Sequence, residues 1–105
     1  MSKPPTAAEK KRMAAIAEMG CIVCRKYFGV FTEAAVHHLV DGYRRGHMFT
    51  IPLCGHHHQG IPPGTFTAKQ ARKALGPRFH GEGVEFEQQF GTEEYLLELT
   101  NERLK

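Results

Sequence analysis

The sequence predicts a small α+β fold held by a metal staple, with helices flanking a short pair of strands. Three observations lead there. All three cysteines fall into two ligand-spaced turns, Cys21-x2-Cys24 and Cys54-x2-His57, with 29 residues between Cys24 and Cys54. Short runs rich in aromatic and β-branched residues lie between those turns. Thr6, Thr67 and Thr92 each stand where the N-cap of a helix is wanted.

In chain order, residues 1–5 form a loose end, and Thr6 caps a helix over 7–19 with Met13, Ile16 and Ala17 at helical spacing. Gly20 ends it. Cys21 to Arg25 is a knuckle, because two residues between thiolates let both reach one tetrahedral ion. Tyr27 to Phe31 and Ala34 to Val40 read as strands, with Asp41-Gly42 supplying turn chemistry after the second. Phe49 to Leu53 reads as a further strand, placed at an edge or a strand end by Pro52. A helix beginning near His56 to His58 must be short, since Pro62 and Pro63 interrupt it. Two further helices are expected, over 68–75 up to Gly76-Pro77 and over 92–104 at the C-terminal end. The whole is expected to be one domain over residues 1–105, a length that holds one modest core.

Composition narrows the function classes. Eleven Gly, six Pro and no Trp describe a loop-rich chain that a metal or disulfide would supplement. Three cysteines cannot all pair, and no basic start leads into an apolar segment, so the cytosol is expected rather than a secreted disulfide framework. No apolar run approaches the roughly 20 residues needed to span a bilayer. The net charge of +3 hides an asymmetry: residues 1–81 carry twelve Lys/Arg against four Asp/Glu, and residues 82–105 carry two against seven. The basic front suits a phosphate backbone if folding gathers it; solvated surface charge is the plainer alternative.

Three thiolates and one imidazole, Cys21, Cys24, Cys54 and His57, make a closed structural zinc set with no open position for water. The alternative is three buried free thiols. His37-His38 is a different signal, since neighbours on a strand point to opposite faces and suit one metal ligand and one base rather than two ligands. Packing is the competing use of such a pair. If His57 holds zinc, His58 is carried by the same turn toward a second metal, whereas His56 is expected to be exposed or to face DNA. His47 and His80 carry no assignment from spacing alone.

These residues resemble the HNH nucleases, also called ββα-metal or His-Me finger nucleases, through Val36-His37-His38-Leu39 and Ile51-Pro52-Leu53-Cys54-Gly55-His56-His57-His58. More narrowly the chain is similar to the phage recombination-enhancement (Ref-like) nucleases, which act with RecA. Phe86-Glu87-Gln88-Gln89-Phe90-Gly91, read as a turn before the final helix, completes a likeness over about residues 18–104. The resemblance implies that His38 is the general base, that His37 and His58 bind a catalytic Mg²⁺ or Mn²⁺ ion, and that the zinc quartet is structural. It makes His80, six positions before Phe86 where those relatives carry a His, the third ligand, in place of the His that many HNH enzymes carry four residues after the helix ligand, a position that is here Pro62. The motif's central Asn has no counterpart before Asn101, and His47 is the available substitute: a brace for the loop that orients His38, a DNA contact, or neither.

What the resemblance implies for function is a metal-dependent DNA endonuclease of a phage or prophage, working in the bacterial cytoplasm. Its substrate would be single-stranded or displaced-loop DNA, with a RecA filament as possible partner and no membrane. Arg44, Arg45, Lys69, Arg72 and Lys73 would hold the DNA backbone without reading bases. The alternative is a noncatalytic zinc-stapled module that binds nucleic acid or a recombinase.

Overall fold

The computed structural model describes residues 4–39 and 46–105; the expected Asp41-Gly42 turn, Arg44 and Arg45 lie outside them. Helix α1, Ala7–Met19, opens with a full capping box: Glu9 N–H donates to Thr6 Oγ1 at 3.2 Å and Thr6 N–H to Glu9 Oε1 at 2.8 Å. Gly20 ends it at φ 81°, ψ 177°. That combination is open essentially to glycine alone. It also lets the chain pass close to Thr32, whose carbonyl accepts from Cys21 N–H at 3.1 Å. A Cβ on Gly20 would stand 2.8 Å from that carbonyl oxygen and 2.6 Å from the Phe31 ring. Gly20→Ala is therefore expected to lower stability by about 1–3 kcal/mol, read as a lower urea midpoint with unchanged slope.

The next segment departs from expectation. Tyr27 to Phe31 is no strand: Cys24–Phe28 winds into a single π-helical turn closed by Gly29 at φ 65°, ψ 25°. Tertiary contacts outweigh the strand preference of its aromatics. Phe28 stacks on His57 with ring centroids 5.9 Å apart, and Tyr27 packs 5.3 Å from Phe90 while its hydroxyl donates to the Phe90 carbonyl at 2.9 Å. An extended chain would not bring both rings to the helix that follows Gly81 while keeping Cys24 buried.

Strands β1, Ala35–His38, and β2, Thr50–Leu53, pair antiparallel with His37 opposite Ile51 and His38 opposite Thr50. Pro52 sits opposite Val36, where a two-stranded ribbon tolerates a residue without an N–H. Helix α2, Gly55–Gln59, follows β2 directly and stops at Gly60, ahead of the prolines. Helix α3, Ala68–Leu75, is capped by Thr67 with Gln70.

Helix α4, Gly83–Phe90, occupies the stretch expected to be a turn. It has no side-chain cap, and two glycines flank its start, so its local signals are those of a loop. What makes it a helix is burial of Phe86 and Phe90, one turn apart, against each other and against Phe79 and Phe28. Helix α5, Glu93–Leu104, is capped by Thr92 and buries Leu96, Leu97 and Thr100.

The core joins Cys21 to Cys24, Leu39, Ile51, Leu53, Phe86, Phe90, Leu96 and Leu97 into one cluster. Arg12 locks its far side. The guanidinium donates to Thr50 Oγ1 at 3.0 Å, to the Thr50 carbonyl at 2.8 Å and to Asn101 Oδ1 at 2.8 Å, tying α1 to β2 and α5. Among the described residues no helix is long and apolar enough to cross a membrane.

Candidate metal centres

The first centre is built by the knuckle after α1 and the start of α2. Cys54 is the N-cap of α2, its Sγ accepting from His57 N–H at 3.4 Å, so the helix itself sets Cys54 and His57 on one side. His57 Nδ1 lies 3.6, 3.5 and 3.3 Å from the sulfurs of Cys21, Cys24 and Cys54, and Cys24 Sγ lies 3.9 Å from Cys54 Sγ. A tetrahedral zinc, with bonds of about 2.3 Å to sulfur and about 2.05 Å to nitrogen, spaces its ligands about 3.8 Å (S to S) and about 3.6 Å (S to N) apart. The quartet fits that ion. All four residues are buried, and the cysteines are unpaired as disulfides.

The tautomer is also set for a metal. His57 Nε2–H donates to the Leu75 carbonyl at 2.8 Å, which leaves the Nδ1 lone pair toward the sulfurs. Without an ion the quartet collects protons: its neighbouring sulfurs and then burial push the Cys21 thiol well up, while hydrogen bonds from Cys21 and Cys24 pull Cys54 well down. Burial works against a proton on His57, but Cys24 and Cys54 outweigh it and raise the imidazole to about 9. A divalent cation displaces those protons and satisfies all four donors at once.

The second cluster gathers His37 from β1, His58 from α2 and His80 from the segment before α4, with one donor atom of each within 4.8 Å of the others. His58 follows His57 on the same turn, and its backbone carbonyl accepts from His80 N–H at 3.1 Å. Phe79 N–H donates to the His57 carbonyl at 2.7 Å, so the 79–80 segment is docked on both centres by its backbone. Arg78 holds the next carbonyl, donating from Nε to His80 O at 2.7 Å. The rings of His37 and His58 stand 4.9 Å apart, as do those of His58 and His80. Burial first, and then the neighbouring His37 and His80, hold His58 below its usual pKa, which keeps it neutral and able to ligate at neutral pH.

His37 and His38 point apart, as alternation on a strand requires. His37 is buried at 5% exposure, and its Nε2 lies 2.8 Å from Glu93 Oε2 at the start of α5. His38 Nε2 instead lies 3.0 Å from His47 Nδ1. The His47 carbonyl in turn accepts from Thr50 Oγ1 at 3.0 Å, the hydroxyl that Arg12 also grips. His47 is thus fixed to β2 directly beside His38, and no DNA contact is needed to account for its placement.

His56 departs from expectation. It is 3% exposed, with Nε2 donating to the Gly76 carbonyl at 2.8 Å, and joins α2 to the end of α3 rather than facing solvent. Of the basic residues, Lys69 and Lys73 are exposed on α3, whereas Arg72 is paired with Glu82 at 2.9 Å. Arg12 also spends three donors inside the chain, and Arg25 and Arg78 each commit one to a backbone carbonyl. Glu93 and the Arg12–Thr50 bond give no signal in the sequence, because their partners lie 56 and 38 positions away with no motif to link them.

A three-thiolate, one-imidazole cage stands next to a second cluster of three imidazoles, and each group could hold a metal ion. The chain belongs to the family of recombination-enhancement, RecA-dependent nucleases, whose family model matches residues 5–105. Nuclease activity in recombination is what that membership implies, with DNA and RecA as the corresponding partners.

Proposed function

We propose that the chain is a metal-dependent DNA endonuclease of the HNH type, one domain over residues 1–105, with zinc as a structural ion and Mg²⁺ or Mn²⁺ at His37, His58 and His80. The observation that carries this reading is the meeting of those three imidazoles, from three separate elements, in a chain of a nuclease family. Three protein ligands would leave positions on an ion for phosphate and water, unlike the closed quartet. When bound, the ion supplies charge stabilisation at the phosphate and the departing oxygen.

The chain's own part centres on His38. His38 Nε2 and His47 Nδ1 share a hydrogen bond of 3.0 Å; with Nε2 as its donor, the lone pair of His38 is on Nδ1, the nitrogen that would take a proton from water. The hydroxide attacks phosphorus, the bond to the 3′ oxygen breaks, and that oxygen is protonated from solvent. His47, anchored through Thr50 and Arg12, keeps the imidazole from turning. This gives His47 the bracing role of the missing Asn.

Lys69 and Lys73 hold the DNA backbone, with Arg44 and Arg45 as further contacts; Arg72 contributes less, its charge being engaged by Glu82. Such contacts do not read bases, and sequence preference would come from a RecA filament on single-stranded or displaced-loop DNA. A bacterial cytoplasm, with phage or prophage origin, belongs to the same reading. Replacing Lys69 and Lys73 together by alanine is expected to reduce the slope of log affinity against log salt by about 2, one for each phosphate no longer neutralised, in a fluorescence titration.

The test is cleavage of supercoiled and displaced-loop DNA with Mg²⁺ or Mn²⁺, with and without RecA and ATP. Absence of cleavage in every arm, together with unaltered DNA binding by His38→Ala, would leave a noncatalytic zinc-stapled module as the function.

A further inference from the structure

We infer that Glu93 is the positioning residue of the histidine cluster: its carboxylate takes the Nε2 proton of His37 and commits Nδ1 of that ring to the site shared with His58 and His80. The inference rests on the metal-binding reading above and assigns a role to a residue outside the HNH motif. A carboxylate at neutral pH only accepts, so the 2.8 Å contact makes Nε2 the protonated nitrogen of His37. The lone pair is then on Nδ1.

Glu93 is not itself one of the converging donors, which are His37, His58 and His80. A carboxylate could have joined that set, yet the contact Glu93 makes is with His37, at 2.8 Å. It acts on the site through His37. Carboxylates that accept the second N–H of a ligating imidazole raise its basicity and hold its plane.

The surroundings make that hold effective. The His37 ring is packed edge-on against Phe79 at 4.8 Å and His58 at 4.9 Å, which leaves it little water to compete for Nε2. Glu93 is equally constrained. It is the first residue of α5, where a negative side chain is favoured by the helix dipole. The helix behind it is anchored by Leu96, Leu97, Thr100 and the Arg12–Asn101 bond. The three imidazoles carry no negative charge among them, and Glu93 is a carboxylate in contact with the cluster that would offset part of a bound dication's charge.

The test uses the zinc-loaded full chain. Nitrogen-detected NMR of the histidine rings, without Mg²⁺ or Mn²⁺, is expected to show His37 with its proton on Nε2 in the unsubstituted protein and mixed tautomers in Glu93→Ala. Mn²⁺ titration followed by electron paramagnetic resonance is expected to show binding that His58→Ala abolishes, and that Glu93→Ala weakens about 10–100-fold. Glu93→Gln keeps an acceptor oxygen and the fold while losing the charge, and is expected to fall between the two. A residue that only packed α5 would shift the melting temperature and leave tautomer and Mn²⁺ affinity alone. The inference is overturned if Glu93→Gln and Glu93→Ala bind Mn²⁺ within twofold of the unsubstituted chain, or if the His37 tautomer does not respond; the nuclease reading then stands. If the unsubstituted chain shows no His58-dependent Mn²⁺ binding, the metal site itself fails and the role of Glu93 with it.

Discussion

His38→Ala is expected to slow DNA cleavage about 10²–10⁴-fold, the range over which a positioned general base acts, while leaving zinc content and the cooperativity of unfolding as they are. The separation follows from where the side chain sits. His38 is half-buried at the strand end, and its ring bonds to His47 rather than joining the core cluster. Deleting it therefore removes a proton acceptor without opening a cavity among Leu39, Ile51 and Leu53. His47→Ala should give a smaller loss in the same direction, because it frees the His38 ring to rotate but leaves it present. The measurement is the nicking rate of supercoiled DNA with RecA, ATP and Mg²⁺, set beside thermal melts of the three proteins. A His38→Ala chain that cuts at the unsubstituted rate would remove the imidazole from the mechanism.

Where function is carried by short-range chemistry, the sequence is a good guide. Helices α1, α3 and α5 begin at Thr6, Thr67 and Thr92 because a hydroxyl is needed for the orphan N–H groups of the first turn, and that need is visible residue by residue. The quartet is visible for the same reason, since each half is a two-residue gap. The π-turn at Cys24–Phe28 and helix α4 are not visible, because each is decided by Phe90, which lies more than 60 residues from the first and is itself part of the second. Tyr27 and Phe28 suit a strand until Phe90 and His57 are there to receive them.

The histidines divide in the same way. His37 and His38 separate because strand alternation is local, and His58 is placed by its neighbour His57 on α2. His56 shows the limit: sharing a turn with two candidate ligands suggests an exposed role, but the Gly76 carbonyl that buries it comes from the far end of α3. Glu93 is silent for the same reason, its bond to His37 being made by the docking of α5.

Removing zinc is expected to unfold the domain, whereas removing Mg²⁺ or Mn²⁺ should stop cleavage and leave the fold intact. The energies decide it. A domain of this size has a net stability of about 5–15 kcal/mol, and a structural zinc in a small domain supplies an apparent binding free energy of about 10–16 kcal/mol at neutral pH. A zinc of that strength in the quartet would match or exceed the whole net stability. The candidate ligands Cys21, Cys24 and Cys54 are themselves members of the apolar core, packed with Ile22, Val23, Leu53 and Phe90, so the quartet cannot open locally without exposing that core. Without an ion, neighbouring thiols and a protonated His57 occupy the same small space, held together by weaker hydrogen bonds. The histidine cluster has a different dependence: His58 is only half-buried and His80 is exposed, and the backbone bonds from Phe79 and His80 to α2 hold the segment without any ion. Circular dichroism after zinc release by a thiol-reactive mercurial should show loss of helix, and Cys24→Ser should fail to accumulate as a zinc-bound folded chain. Dialysis free of Mg²⁺ and Mn²⁺ should change neither the spectrum nor the melting temperature by more than the small increment a weakly bound ligand contributes. A zinc-free chain that keeps its helices and melts cooperatively would show that the apolar core suffices, and that the quartet serves something other than the fold.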